Sequence, residues 1–418
     1  AIEVMEKSPY RLAQEIDGIG FITADTIAIA AGWEKNSSAR IAAGLSYELA
    51  QIASGGHCCI PEGMLAERTA QRLGVARGEV MEVLGREVKM SRLYAVDEMG
   101  ERLIYAPQLY KAEEETARLL LTLQRRAEHI HVHDTSSLVT SWEKEHHVSL
   151  ASAQREAVIA SLEHGVLVLT GGPGTGKTTV VRSIIDILGA QGLEILLAAP
   201  TGRAAKRLAE ATGCPAATVH RMLEAQGREE GEMRFGRDAE TQLEADVIIV
   251  DEVSMMDIVL MQHLLRAVLP GAHLILVGDV DQLPAVGPGS VLKDILRSSV
   301  IPSVRLTEIF RQNNTGTIVL NAHAINAGRV PSFTEADFSF VTAVSSEDAA
   351  AQIVSICTRL LRAGTDLMDM QVLSPMRREA CGVDMLNPSL QAALNPPAMD
   401  KSEAVGFRIG DKVMQTRN

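Results

Sequence analysis

At 418 residues, 46% hydrophobic and 22% charged, the sequence is too long for one ordinary domain and supplies apolar material for roughly two to four buried cores. No apolar run is long enough to cross a bilayer, and Ala1–Tyr10 lack the charged-then-apolar layout of a signal peptide, so a soluble, cytoplasmic protein without a membrane partner is expected. The formal net charge of −13 argues against holding nucleic acid by bulk positive charge, although an acidic protein can still carry a narrow positive track.

Residues 8–49 have largely helical apolar spacing, interrupted by Asp17-Gly18-Ile19-Gly20, where two glycines allow a tight turn that exposes backbone N–H groups. Met64–Leu73 and Glu79–Val88 read as two helices. Leu93–Val96 and Arg102–Tyr105 read as a hairpin about Glu98-Met99-Gly100. Two helices followed by a hairpin suggest a winged-helix-like module. Lys111–Glu128 reads as one amphipathic helix, and Ala127–Ser149 as a polar, histidine-rich connector. His129, His131 and His133 would share one face of a strand and could hold zinc; polar connectors commonly gather histidines, so no metal role is assigned. The five cysteines are scattered and without a C-x-x-C pair, as expected of free thiols in a reducing compartment.

From Ser152 the pattern changes to continuous apolar runs of strand length, Val166–Thr170, Glu194–Ala198, Val247–Val250 and Leu274–Val277, separated by helical stretches. Such runs are buried on both faces, which predicts a parallel sheet covered by helices. Gly227–Gln242 reads as an exposed loop or hairpin. A second α/β pattern begins at Phe338–Val341, with a helix about Ser346–Leu361 and a strand at Gln371–Leu373. Asn387–Lys401 reads as loop or broken helix, and Gly410–Gln415 as an opening strand.

Four segments carry chemistry. Gly171-Gly172-Pro173-Gly174-Thr175-Gly176-Lys177-Thr178 fits G-x-x-x-x-G-K-[ST] between a strand and the helix Thr179–Leu188. Small residues let backbone N–H groups wrap phosphates at a helix N-terminus, so residues 172–179, including Thr179, are the expected nucleotide cradle. Lys177 should reach the β- and γ-phosphates of ATP, and Thr178 should ligate Mg²⁺. Val247–Val250 delivers Asp251 and Glu252 to the sheet's C-terminal edge, with Asp251 suited to the metal and Glu252 to activating water. Another strand ends at Gly278-Asp279, where Gln282 of Asp279-x-x-Gln282-Leu283-Pro284 can sense a γ-phosphate. Arg311 in Phe310-Arg311-Gln312 has the chemistry of an arginine finger.

In this order and wording the four segments resemble superfamily 1 helicases, most closely the RecD type. Gln154 matches the glutamine that reads adenine in that family. Thr201-Gly202-Arg203 matches the segment that touches single-stranded DNA, and His220 lies in the block that follows it. Residues 17–25 resemble a helix-hairpin-helix whose Gly18 and Gly20 would meet DNA phosphates, as in the branch with a long N-terminus, and the tail from Val405 resembles the start of an SH3-like insertion. The resemblance implies an α/β protein with P-loop, RecA-like, parallel-sheet motor domains behind an all-α and winged-helix-like N-terminal region. It divides the chain into a helix-hairpin-helix region (1–60), a winged-helix-like region (61–110), and a helix and linker (111–150). A first RecA-like domain (151–308), part of a second (309–402) and the start of the insertion (403–418) follow.

The activity implied is ATP-driven, 5′-to-3′ translocation on single-stranded DNA by a monomer, unwinding duplex junctions in repair or recombination. Motifs that such enzymes carry further along a second motor domain do not occur in the sequence, which predicts nucleotide binding with weak turnover. Two other readings fit parts of the pattern: a P-loop ATPase that remodels protein, and a DNA-binding scaffold with an inert nucleotide site. Gln282 in its Leu-Pro setting and the helix-hairpin-helix count against the first.

Overall fold

The computed structural model describes residue 10 and residues 20–130, 134–229, 232–308, 317–333, 337–397, 403–404 and 406–414. Gly18, Arg311, His131 and His133 lie outside the described residues, as do residues 17–19 at the start of the 17–25 hairpin. The chain divides into two compact units, 1–315 and 316–418.

Unit 1 begins with α1 (Phe21–Ala30) and α2 (Ser38–Ser54), followed by β1 (Cys59–Pro61), α3 (Glu62–Leu73), α4 (Arg77–Lys89), β2 (Tyr94–Glu98) and β3 (Glu101–Tyr105). Ser37 caps α2 by accepting from the Arg40 N–H. β2 and β3 pair antiparallel around Met99 and Gly100, both at positive φ, the geometry a two-residue hairpin turn demands. β1 adds to the other side of β3. From Ser38, helix, strand, two helices and hairpin follow one another in a winged-helix-like order. Leu45, Leu49 and Ile52 of α2, with Phe21 and Ala28 of α1, share one core with Leu65, Leu73, Val83, Leu84 and Ile104.

The larger part of unit 1 is a six-stranded sheet in the order β11-β4-β10-β9-β5-β6, parallel throughout. Its strands are β4 (Val166–Gly171), β5 (Ile195–Ala199), β6 (Ala216–Thr218), β9 (Val247–Val250), β10 (His273–Gly278) and β11 (Ser303–Leu306). Alternate residues of the apolar runs enter separate cores. Val166, Val168, Ile248, Val250, Leu274 and Leu276 face one, while Leu167, Leu169, Val247, Ile249, Ile275 and Val277 face the other.

The first core is covered by α5 (Pro107–Arg126), by α11 (Ile258–Ala267) and by α12 (Val291–Ser298). The second is covered by α6 (Thr135–His146), α7 (Ser152–Glu163), α8 (Lys177–Ala190) and α9 (Gly202–Thr212). Residues 111–150 are therefore part of the covering layers. The expected connector contains α6, capped by Asp134 accepting from the Ser137 N–H, with Val139 and Trp142 buried and the Trp142 indole N–H donating to Asp186 at 3.0 Å. His146 stacks on Trp142, a structural use for a histidine of this stretch. After β6 come the short α10 (Val219–Met222) and the antiparallel hairpin β7 (Ala225–Glu229) and β8 (Glu232–Phe235), as expected of the charged stretch.

Unit 2 contains α13 (Thr317–Asn326), α14 (Ser346–Arg362), α15 (Val383–Leu394, with Pro388 inside) and one tiny ladder, β12 (Glu403–Ala404) with β13 (Phe407–Arg408). The strands expected at 338–341, 371–373 and 410–414 do not form. An apolar run becomes a strand only when a neighbour takes its backbone hydrogen bonds, and Phe340, Val341 and Leu373 instead stand exposed.

Candidate nucleotide site

Sheet order assembles the site. β10 lies between β4 and β9, so the phosphate loop after β4, Asp279 after β10 and Asp251-Glu252 after β9 emerge side by side at the C-terminal edge, where open α/β sheets gather ligands. Gly174 and Gly176 have φ of +79° and +82°, which is why the loop needs glycine there. At Gly171 the reason is space: a Cβ would lie 2.7 Å from Thr175 Oγ1 and 2.9 Å from Leu306 O. α8 starts at Lys177, two residues before the expected Thr179, bringing Lys177, Thr178 and Thr179 into its first turn.

The Lys177 ammonium folds over the loop and donates to the carbonyls of Gly171 and Gly172, the latter at 3.2 Å. Thr175 Oγ1 donates to Gly172 O at 2.9 Å. Thr178 is exposed at the mouth and Thr179 is half-buried. Gln154 is buried against the loop. Its Oε1 accepts from the Ala151 N–H and its Nε2 donates to Thr175 O at 3.2 Å, which leaves one N–H and one lone pair of the amide unspent.

The acidic pair is set apart by what it lacks. Glu252 sits in the left-handed region at φ 56°, a conformation that costs a non-glycine residue energy and recurs at active sites. Its Oε2 is buried without a hydrogen-bond partner. Burial raises the pKa of Asp251, opposed by the Glu252 N–H donating to its Oδ1 at 2.9 Å and by the charges of Lys177 and Arg207. Burial also raises that of Glu252; Asp251 and Asp279 add to the rise, while Lys177 and Arg207 oppose it. Lys177, Asp251, Glu252 and Asp279 thus act on one another electrostatically.

Gln282 is exposed, its N–H donating to Asp279 O at 3.2 Å in the turn after β10. Thr201 caps α9 by accepting from the Ala204 N–H at 3.2 Å. Gly202 and Arg203 lie exposed in its first turn. His220 is half-buried, with its ring 6.1 Å from that of Phe235 on the β7–β8 hairpin. Gly20 has an ordinary φ of −81° and open space where a Cβ would go, so no tight turn at this residue requires glycine. One residue acting on the site was not legible as such: Arg207, whose charge bears on Asp251 and Glu252, follows Arg203 by one helical turn, a spacing that could have flagged it. Among the described residues no group of histidine, cysteine and acidic side chains is arranged to hold a metal ion.

Residues 1–59 match the family profile described as the ATP-dependent RecD2 DNA helicase HHH domain, and residues 154–288 match one described as an AAA domain. The ATP-dependent RecD2 DNA helicase of Deinococcus radiodurans is 34% identical over 430 residues, covering 100% of this chain and 58% of that protein. Over its whole length the chain is similar to the RecD-type helicases. It spans 58% of the length of that relative. The RecBCD enzyme subunit RecD of Mycobacterium tuberculosis H37Rv is 37% identical over 253 residues, covering 54% of this chain and 42% of the subunit. A crystal structure of the Pif1 helicase from Candida albicans aligns with 52% of this chain and 56% of its own at a TM-score of 0.37 and 24% identity. The RecD-type sequence accords with the fold: a helical and winged-helix-like N-terminal region leads into a RecA-like P-loop sheet that carries a nucleotide site.

Proposed function

We propose that this chain carries the ATP-hydrolysing core of a DNA helicase that moves 5′-to-3′ along single-stranded DNA and opens duplex in repair or recombination. The observation that supports it most is the buried, partnerless carboxylate oxygen of Glu252 beside the phosphate loop. A buried acceptor without a partner costs about 1–3 kcal/mol, and a carboxylate with a raised pKa is suited to taking a proton from water. Lys177 and the N–H groups of residues 172–179 bind the phosphates. Gln154 reads adenine with its spare amide valences, and Gln282 senses the γ-phosphate. Thr178 and Asp251 would hold Mg²⁺, which neutralises charge on the transferring phosphoryl group when bound. Arg311 is assigned the arginine-finger role from its motif alone.

On the DNA side, Thr201, Gly202, Arg203 and His220 are proposed contacts along the strand, with Arg207 on the same face of α9 as Arg203. Gly18 and Gly20 are proposed to meet phosphates through backbone amides, a contact that fixes position without reading sequence. A Cβ fits at Gly20 in the free protein, so the proposed need for glycine there is the close approach of a phosphate. The protein is proposed to act as a monomer in the cytoplasm.

Turnover of ATP with and without single-stranded DNA tests the core of this reading, and strand displacement from 5′-tailed and 3′-tailed duplexes tests its direction. DNA-stimulated hydrolysis lost in Lys177→Ala is expected. Hydrolysis unchanged by that substitution would remove the mechanism, and opening of 3′-tailed substrates alone would reverse the direction.

A further inference from the structure

Buried polar side-chain atoms without a partner are few: among the described residues they are Thr69 Oγ1, Thr116 Oγ1, Glu252 Oε2, Ser254 Oγ and His323 Nε2. Two of these five fall in one three-residue stretch, and the base assigned above accounts only for Glu252. A hydroxyl rotates to donate or accept, and Ser254, unlike Thr69 and Thr116, holds its unspent hydroxyl two residues from the assigned base, where a partner can arrive with the ligand.

Ser254 lies in a 3₁₀ turn, Val253–Met255, held by the Met255 N–H donating to Glu252 O at 3.0 Å and the Met256 N–H donating to Val253 O at 3.0 Å. That turn starts at Glu252, so Ser254 and the carboxylate share one short rigid piece of backbone. Behind it the chain passes close to the end of β10: a Cβ at Gly278 would lie 3.3 Å from the Ser254 backbone nitrogen. Ser254 lines a small cavity of about 110 Å³ together with Val280, Gln282, Pro284, Ser290, Leu292 and Lys293. The cavity thus joins the turn that carries Glu252 to the loop that carries Gln282.

We infer that Ser254 is a positioning residue whose hydroxyl seats the Gln282 side chain when a nucleoside triphosphate is bound, tying γ-phosphate sensing to the placement of Glu252. The inference rests on the function proposed above for Glu252 and Gln282. Of the polar neighbours in the cavity, Gln282 fits best. Its amide can donate to and accept from a hydroxyl, and its backbone tie in the turn leaves the side chain unspent. Lys293 can only donate and stands exposed next to Asp294, whose carboxylate interacts with it. Ser290 is the residue before α12, its carbonyl accepting from the Asp294 N–H at 2.9 Å.

The test compares the affinity of the 418-residue chain for fluorescent ATPγS and fluorescent ADP, so it does not depend on turnover. Ser254→Ala and Gln282→Ala should each weaken ATPγS binding about fivefold, the worth of one hydrogen bond, while ADP affinity stays within about twofold. The double variant should be no weaker than the poorer single, and Ser254→Thr should restore most of the loss. Equal weakening of both nucleotides by Ser254→Ala would show a structural role and overturn the inference, as would additive losses in the double variant or non-additivity with Lys293→Ala or Ser290→Ala in place of Gln282→Ala. Wild-type protein that binds neither nucleotide would instead sink the underlying assignment of the site, so the two failures are distinguishable.

Discussion

Two glutamates with buried carboxylate oxygens show how differently two parts of unit 1 are built. Glu48, inside the winged-helix-like module, has a side chain only 1% exposed, yet its oxygens are taken by Arg68 at 3.2 Å and by Arg72, whose guanidinium also lies over the Tyr47 ring. Asp25 is treated likewise, held by Arg40 and accepting from the Tyr10 hydroxyl. Glu252, at the edge of the parallel sheet, has one buried oxygen with no partner and a backbone in the left-handed region. Where polar groups are saturated, they hold the fold. Where they are left bare beside a phosphate loop, energy that could have gone into stability is held for a ligand.

The sharpest break of this contrast lies in the N-terminal module. Glu48→Ala removes a buried carboxylate from two half-exposed arginines and should cost about 1–3 kcal/mol of stability, read by chemical denaturation, without altering nucleotide affinity. Loss of nucleotide affinity in a still-folded Glu48→Ala protein would blur the division. Next, Lys177→Ala should weaken ATP binding by ~2–3 kcal/mol, the worth of charge-assisted hydrogen bonds, with little change in melting temperature.

Glu252→Gln should act on stability in the opposite sense to Glu48→Ala. Burial and Asp251 raise the folded-state pKa of Glu252, so ionisation costs stability as pH rises through that value, and below the unfolded pKa the cost disappears. The variant should therefore melt ~1–3 °C higher than wild type at pH 8, a gain that fades as the pH falls towards the ordinary glutamate range. A drop in melting temperature at pH 8 would show that the carboxylate is satisfied after all. The smallest effect is expected at Gly20. Gly20→Ala should move stability by less than about 0.5 kcal/mol, since the backbone there is ordinary and the space open, while weakening DNA binding measured by anisotropy. Unchanged DNA affinity would remove Gly20 from the contact surface.

The parallel sheet was legible because its strands are doubly buried, and four near-continuous apolar runs name β4, β5, β9 and β10 almost to the residue. The phosphate loop and the acidic pair were legible because their chemistry is local in sequence. Helix α6 was hidden by its composition: Val139 and Trp142 are its buried residues, and the second depends on Asp186, distant along the chain. β1 has three residues, too few for alternation to register. Ser254 and Arg207 become part of the site only once β9, β10 and α9 are adjacent in space. In unit 2 the failure ran the other way, since apolar runs at 338–341 and 371–373 promised strands that lack partners.

The most direct measurement is nucleotide affinity and single-turnover ATP hydrolysis determined together for wild type and Glu252→Gln. The account requires affinity within about twofold of wild type and hydrolysis slower by roughly 10²–10⁴, the usual contribution of a general base. Hydrolysis at the wild-type rate, with affinity retained, would contradict it.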